Sequence, residues 1–191
     1  MPHGPRRNTT KGYDTYEVVS ALQKAVRRGQ EVAAMYWFEE LAGSGLFSWA
    51  ASRLEVISQE DIGLADIYTV TYTALTMEQA RRWYKLKKPE WRIAIGNAIR
   101  ALCRSPKSRE GDHFQAAVRL KHRSERLPIP DEALDKHTCR GKKMGRGLEH
   151  FRAEASRLVP APAQEDRYEE DAYRFWRLEE KEKHPLLKGD I

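Results

Sequence analysis

Cysteine is nearly absent from this chain. Cys103 and Cys139 are the only two, which excludes a disulfide framework and points to free thiols in a reducing compartment. No apolar run approaches the roughly 18 residues of a membrane-spanning helix. The start, Met1-Pro2-His3-Gly4-Pro5-Arg6-Arg7, carries no hydrophobic leader. Together these absences predict a cytoplasmic protein that does not enter a membrane. No phosphate loop is present either, because Gly141-Lys142-Lys143 has neither the upstream glycine nor the following Ser or Thr that such a loop needs. The H-E-x-x-H and C-x-x-C zinc patterns and a nucleophile elbow are also missing. His137-Thr138-Cys139 offers a single pair of ligands at i,i+2 spacing, a weak zinc signal. Cys103, on an apolar helical face, reads as a small core residue. The expectation is a chain without catalytic residues, metal or cofactor.

What the chain has is charge. Of its 191 residues 32% are charged and 40% apolar, with a net charge of +6. The length suits one well-buried domain of roughly 120–150 residues plus tails. The charge is uneven. From Gln79 to Arg146 there are nineteen Lys and Arg against seven Asp and Glu, a local +12, whereas Leu148 to Lys183 holds ten acidic residues and seven basic ones. A basic middle fits an anionic partner, nucleic acid first, or a solvated helical surface.

The hydrophobic pattern predicts helices and no sheet. Residues 1–12 read as a flexible basic arm. Asp14-x-x-Glu17 then opens a helix carrying Val18, Val19, Leu22, Ala25 and Val26 on one face, closed by Arg27, Arg28 and Gly29. A second helix, about 30–42, has a stripe of Ala33, Ala34, Trp37 and Leu41, widened by Met35, Tyr36 and Phe38. The third carries Phe47, Ala50, Ala51, Leu54 and Ile57. The run Ile67–Thr73 is rich in β-branched residues, but with no partner strand elsewhere and a helical continuation it reads as helix. Pro89 is placed as the first residue of a helix through Trp91, Ile93, Ala94, Ile95, Ala98, Ile99 and Leu102. After the Ser105-Pro106-Lys107-Ser108 break, a helix over about 109–126 presents Phe114, Ala117, Val118 and Leu120. A short helix spans 148–158, and a last charged helix has Tyr168, Ala172, Phe175, Trp176 and Leu178 as its contact face. The fold class is all-α. The domain reading is an arm at 1–12, a helical domain at 13–127, a basic extension with Gly and Pro at 128–162, and a charged helix and tail at 163–191.

Three stretches could carry chemistry. Glu60, Asp61, Gly63 and Asp66 suit a tight corner between helices, with Asp61 and Asp66 as caps, Gly63 at positive φ, and Ile62 and Leu64 inserted into the core. The same carboxylates admit a metal-dependent nuclease reading. Arg140, Lys142, Lys143 and Arg146 lie among Gly141, Gly145 and Gly147, where backbone and cations could meet phosphates; a solvated loop reads equally well. Arg81, Arg82, Lys85, Lys87 and Lys88 interleave with Trp83 and Tyr84, which either stack on unpaired bases or belong to the core. Lys107 joins the candidate phosphate contacts.

A resemblance adds to these readings. Val19–Arg27, then Ala33-Ala34-Met35-Tyr36-Trp37, Arg53-Leu54 and Ser58-x-Glu60-Asp61-Ile62-Gly63-Leu64-Ala65-Asp66 resemble the C-terminal part of the RarA/MgsA-type AAA+ ATPases, which are replication-associated recombination proteins related to clamp-loader subunits. Ser105-Pro106-Lys107-Ser108 is similar to an Ala-Pro-Lys-Ser motif there. The resemblance covers roughly 13–120 and leaves out Asp135–Pro160, which reads as a lineage-specific tail. It implies a helical collar that drives oligomerisation beside an ATPase acting at stalled forks on single-stranded or gapped DNA. Without the ATPase module, ATP hydrolysis does not carry over. The expectation is a homo-oligomeric accessory protein of replication, recombination or repair that contacts single-stranded or forked DNA. The alternative is a module that docks on a separately encoded AAA+ ATPase. The three acidic positions then read as architecture.

Overall fold

The computed structural model describes residues 8–183. The chain divides into two units, one ending at Glu125 and the other beginning at Arg126.

The first unit is a helical array: α1 (Thr15–Arg27), α2 (Glu31–Gly43), α3 (Phe47–Asp61), a 3-10 turn at Gly63–Ala65, α4 (Ile67–Lys85), α5 (Trp91–Arg104) and α6 (Glu110–Ser124). Asp14 starts α1 as predicted, its carboxylate accepting from the backbone N–H groups of Tyr16 and Glu17. The core joins Val18, Leu22 and Val26 of α1, Phe38 and Leu41 of α2, Phe47, Leu54 and Ile57 of α3, Met77 of α4, and Ile95, Ile99 and Leu102 of α5. The Ile67–Thr73 run is helical. Its threonines satisfy their hydroxyls inside the helix, Thr71 to the carbonyl of Ile67 and Thr73 to that of Thr69, each at 2.8 Å.

Several expectations shift. In α2 the buried row is Ala34, Phe38, Leu41 and Ala42, while Trp37 is half-buried and Tyr36 exposed. Seven apolar residues in succession there, Val32 to Phe38, give the sequence no period to read. Pro89 lies in the turn before α5, which begins at Trp91, and Ile93 is exposed. Of the arm, residues 1–7 lie outside the described residues. Thr10 and Lys11 are held, because their N–H groups donate to Ser44 Oγ (2.9 Å) and Glu40 Oε1 (3.1 Å). Phe114, Val118 and Leu120 do not pack: α6 contains no buried residue.

The second unit contains α7 (Cys139–Lys143), α8 (Leu148–His150) running into a π-helical turn at Phe151–Ala155, and α9 (Glu169–Lys183). Its small core is Leu134, Leu148 and Tyr173. The extension and the last helix, separated at 162 by the sequence pattern, hold each other. Lys136 pairs with Glu180 at 3.0 Å, Arg152 with Glu169 and Glu170, and Ser156 Oγ lies 3.1 Å from the Tyr173 hydroxyl. The buried residue of α9 is Tyr173, whereas Tyr168, Phe175, Trp176 and Leu178 are exposed.

Candidate nucleic-acid interface

The basic segment after Ala80 ends α4 in a Schellman-type turn. The N–H of Lys88 donates to the carbonyl of Trp83 (2.9 Å) and that of Lys87 to the carbonyl of Tyr84 (3.0 Å). Lys87 takes the left-handed position, φ 56°, that usually falls to glycine. The turn reverses the chain and gathers Arg82, Lys85, Lys87 and Lys88. All four are exposed, and none makes an ion pair among the described residues. They also sit at the negative end of the α4 dipole, where cations are favoured.

Arg81 does not belong to that set. Its guanidinium turns back to α3, binding both carboxylate oxygens of Glu55 (2.7 and 2.6 Å) and Ser52 Oγ (2.9 Å). The neighbouring aromatics are not a platform for bases. Tyr84 lies flat on Phe47, with ring centroids 3.9 Å apart and planes within 3°, and Trp83 packs against the core. Lys107 is a helix cap: its ammonium donates to the carbonyls of Leu102 (2.8 Å), Cys103 (3.1 Å) and Ser105 (2.6 Å) at the end of α5. Burial pushes its pKa down. Much of the local +12 is likewise matched inside the unit, since Arg100 and Arg104 both bind Glu31, and Arg92 binds Glu39.

In the second unit Arg140, Lys142 and Lys143 are exposed on α7 without ion pairs among the described residues. Arg146 is turned inward. Its guanidinium donates to the carbonyls of Asp131 (2.7 Å) and Leu134 (2.9 Å) and to the Asp131 carboxylate (2.8 and 2.6 Å). Gly141 and Gly145 answer needs of the chain itself, a close approach and a φ of 73° respectively. A Cβ on Gly141 would stand 1.9 Å from the carbonyl oxygen of Asp135, so only glycine lets α7 approach that strand of backbone. Thr138 Oγ1 caps α7 by accepting from the Gly141 N–H, Cys139 is exposed on α7, and His137 rests edge-on against Phe151.

The acidic corner is an ion-pair junction. Asp61 is fully buried and receives Arg27 (2.8 Å) and Gln23 Nε2 (3.3 Å), so it is no cap. Its backbone carbonyl accepts from the N–H of Ser108 (2.9 Å). Glu60 faces Arg27, Arg53 and Arg109 at 3.5–3.6 Å. Asp66 caps α4, accepting from Thr69 N–H (3.0 Å), Thr69 Oγ1 (2.7 Å) and Ser105 Oγ (3.0 Å), and these bonds hold its pKa below the usual carboxylate range. Gly63 has the expected positive φ (52°) and Ile62 is fully buried, but Leu64 is 92% exposed. A 3-10 turn follows Ile62, so the next apolar side chain points away. With Asp61 matched by Arg27 and Asp66 by hydroxyls, the carboxylates do not converge on a metal, and among the described residues no group of His, Cys, Asp and Glu does so. The sequence did not reveal the partners Gln23, Arg27, Arg53, Ser105 and Arg109. A signal existed, because two acidic residues ending a helix oppose its dipole and call for cations nearby.

Comparison with known proteins places this geometry. Residues 29–184 match the family described as MgsA AAA+ ATPase C terminal. The match takes in Asp135–Pro160, so that stretch is not a lineage-specific tail. Its irregular contacts through Gly141 and Arg146 leave no period to recognise. The chain is 32% identical over 139 residues to the Replication-associated recombination protein A of Bacillus subtilis (strain 168), covering 71% of this chain and 32% of that protein. It is 30% identical over 146 residues to the protein of the same name from Escherichia coli (strain K12), covering 75% and 32%. It is 32% identical over 143 residues to the ATPase WRNIP1 of Dictyostelium discoideum, covering 73% and 16%. The chain thus spans about a third or less of the length of these relatives.

Proposed function

This chain belongs to the MgsA AAA+ ATPase C-terminal family, and from that premise we propose that it is a non-enzymatic accessory protein of DNA replication and recombination, self-associating through its first helical unit and contacting DNA through exposed basic residues. The observation that carries the DNA reading is the turn after α4. There Arg82, Lys85, Lys87 and Lys88 stand exposed and unpaired, while the buried or paired cations Arg81, Lys107 and Arg146 are excluded. Arg140, Lys142 and Lys143 of the second unit form a further cationic set. Exposed lysines and arginines of this kind neutralise phosphates and bind without reading base sequence. Relatives named as replication-associated recombination proteins support the process.

Self-association is supported by an uncovered apolar row that begins at the corner. Leu64, Ile67, Tyr68, Tyr72 and Leu75 are exposed, and no charged residue lies between Ile67 and Met77. Exposed apolar side chains gathered in this way mark an interaction surface. Fluorescence anisotropy of labelled single-stranded and forked DNA tests the nucleic-acid part: saturable binding at low salt supports it, and no binding at low salt overturns it.

A second reading is a module that docks on a separately encoded AAA+ ATPase without touching DNA. It is favoured by the family description and by the relative named an ATPase, set beside a sequence that holds no phosphate loop. Mixing the chain with such an ATPase and following co-elution, with and without DNA, separates the two.

A further inference from the structure

The second unit holds a groove that the DNA reading does not use. Its cavity, about 710 Å³, lies between the π-helical turn at Phe151–Ala155 and α9, and is lined also by Glu165 and Asp166 of the connecting loop. Sites for small ligands and side chains are of this size, roughly 300–1,000 Å³. One arginine of the chain already lies there. Arg152 stands 4.7 Å from the centre of the Tyr173 ring, and its guanidinium pairs with Glu169 and Glu170. Trp176, one turn further along α9 and edge-on to Tyr173, repeats the aromatic half of that arrangement. Its ring is 38% exposed, and no cation stands over it among the described residues. Glu165 is exposed and makes no ion pair among the described residues. Asp166 accepts from the Tyr168 N–H (2.9 Å) with one carboxylate oxygen and leaves the other unpaired among the described residues. An indole and two carboxylates thus line one cavity, beside a pair of residues that shows how a guanidinium is held there.

We infer that this groove binds an extended, arginine-bearing segment of a partner protein, one guanidinium of which stacks on Trp176 and pairs with Glu165 and Asp166. A planar guanidinium meets a ring face and a carboxylate together, which the compact lysine ammonium does less well. Arg157, exposed and unpaired among the described residues, lines the same cavity and donates to the carbonyls that an extended peptide presents. The charge decides the class of partner. Glu165, Asp166 and Glu169 outnumber Arg152 and Arg157 around the cavity, so a phosphate chain is repelled and a cationic peptide is drawn in. The contact is independent of the DNA binding and self-association proposed above.

The test is fluorescence anisotropy of a labelled Gly-Pro-Arg-Pro-Arg-Gly peptide on the full chain, beside a twin with citrulline in place of arginine and a labelled oligothymidine. The inference predicts saturable binding of the arginine peptide at low salt and none of its neutral twin. Trp176→Leu should weaken the peptide roughly 2- to 30-fold, the range of a cation–π contact. Glu165→Gln should weaken it roughly two- to fivefold, as for an exposed ion pair. Both positions are exposed, circular dichroism reports whether α9 persists, and oligothymidine affinity should not change in either variant. Three outcomes overturn the inference: no saturable binding of the arginine peptide, equal binding of the citrulline twin, or affinity that ignores Trp176→Leu. Oligothymidine affinity that falls with Trp176→Leu makes the occupant nucleic acid and also overturns it. Peptide binding seen only in Arg6→Gln/Arg7→Gln gives the groove to the chain's own Pro5-Arg6-Arg7 and overturns the assignment to a partner.

Discussion

Arg27 Nη2 lies 2.8 Å from Oδ1 of Asp61, and the Asp61 side chain is sealed from solvent between the end of α1 and the end of α3. A carboxylate so placed is tolerable only because a guanidinium and the Gln23 amide meet it. Removing one partner of a buried pair typically costs about 3–5 kcal/mol. Arg27 is a third exposed and Arg109 stands 3.9 Å away, so Arg27→Met should cost less, about 2–3 kcal/mol. Arg27→Met/Asp61→Leu should regain most of that loss. Urea denaturation of the three proteins checks both statements.

Lys87 joins backbone strain to the proposed DNA contact. Its φ of 56° suits glycine, so Lys87→Gly should stabilise the chain by about 0.5–1 kcal/mol. The same change removes a cation, which should flatten the salt dependence of DNA binding by about one unit. Weaker binding by a more stable protein cannot be a folding defect. Thermal melts and anisotropy on the same sample measure the two effects.

Gly141→Ala should disrupt the second unit, because the new methyl would collide with the Asp135 carbonyl. Overpacking of this sort costs about 1–3 kcal/mol. Hydrogen exchange should show lost protection in α7 and around Leu148, with α3 and α5 unchanged. Equal loss throughout would contradict the division into units.

The two thiols should behave differently. Burial pushes the Cys103 thiol up from about 9 to about 11, whereas Cys139 is exposed. At pH 8 a thiol reagent should modify Cys139 quickly and Cys103 only after unfolding. The folded state holds the Cys103 proton more tightly than the unfolded chain does. Its contribution to stability is therefore complete below about pH 9 and fades as pH rises towards 11. Denaturation midpoints of the native chain and of Cys103→Ala should differ in slope across that range.

Periodicity made most of the first unit legible. Val18, Leu22 and Val26 mark the buried face of α1, and Phe47, Leu54 and Ile57 that of α3, because polar residues such as Ser20 and Lys24, or Ser48 and Arg53, interrupt the apolar ones. α2 was legible as a helix but not in its facing, since Ala33 to Phe38 is apolar throughout. In α6 the apolar positions Phe114 and Val118 are legible from the sequence, but their exposure is not, because spacing alone does not say whether a side chain is covered. The candidate site was legible only as a count of charges. Lys107 and Arg146 look like solvated cations in a sequence, and only their approach to the carbonyls of Leu102 and Leu134 removes them from the interface. Lys85 and Lys88 survive because nothing in the fold claims them.

The central claim is that DNA is held by the cations the fold leaves free, and not by those it has bound. Titration of labelled forked DNA between about 50 and 200 mM salt tests it, comparing the native chain with Lys85→Gln/Lys87→Gln/Lys88→Gln and with Arg81→Gln. The slope of log affinity against log salt should fall by roughly three units in the first variant, about one per lost phosphate contact, and stay unchanged in the second. Equal slopes for the native chain and the triple variant, or a loss confined to Arg81→Gln, would contradict it.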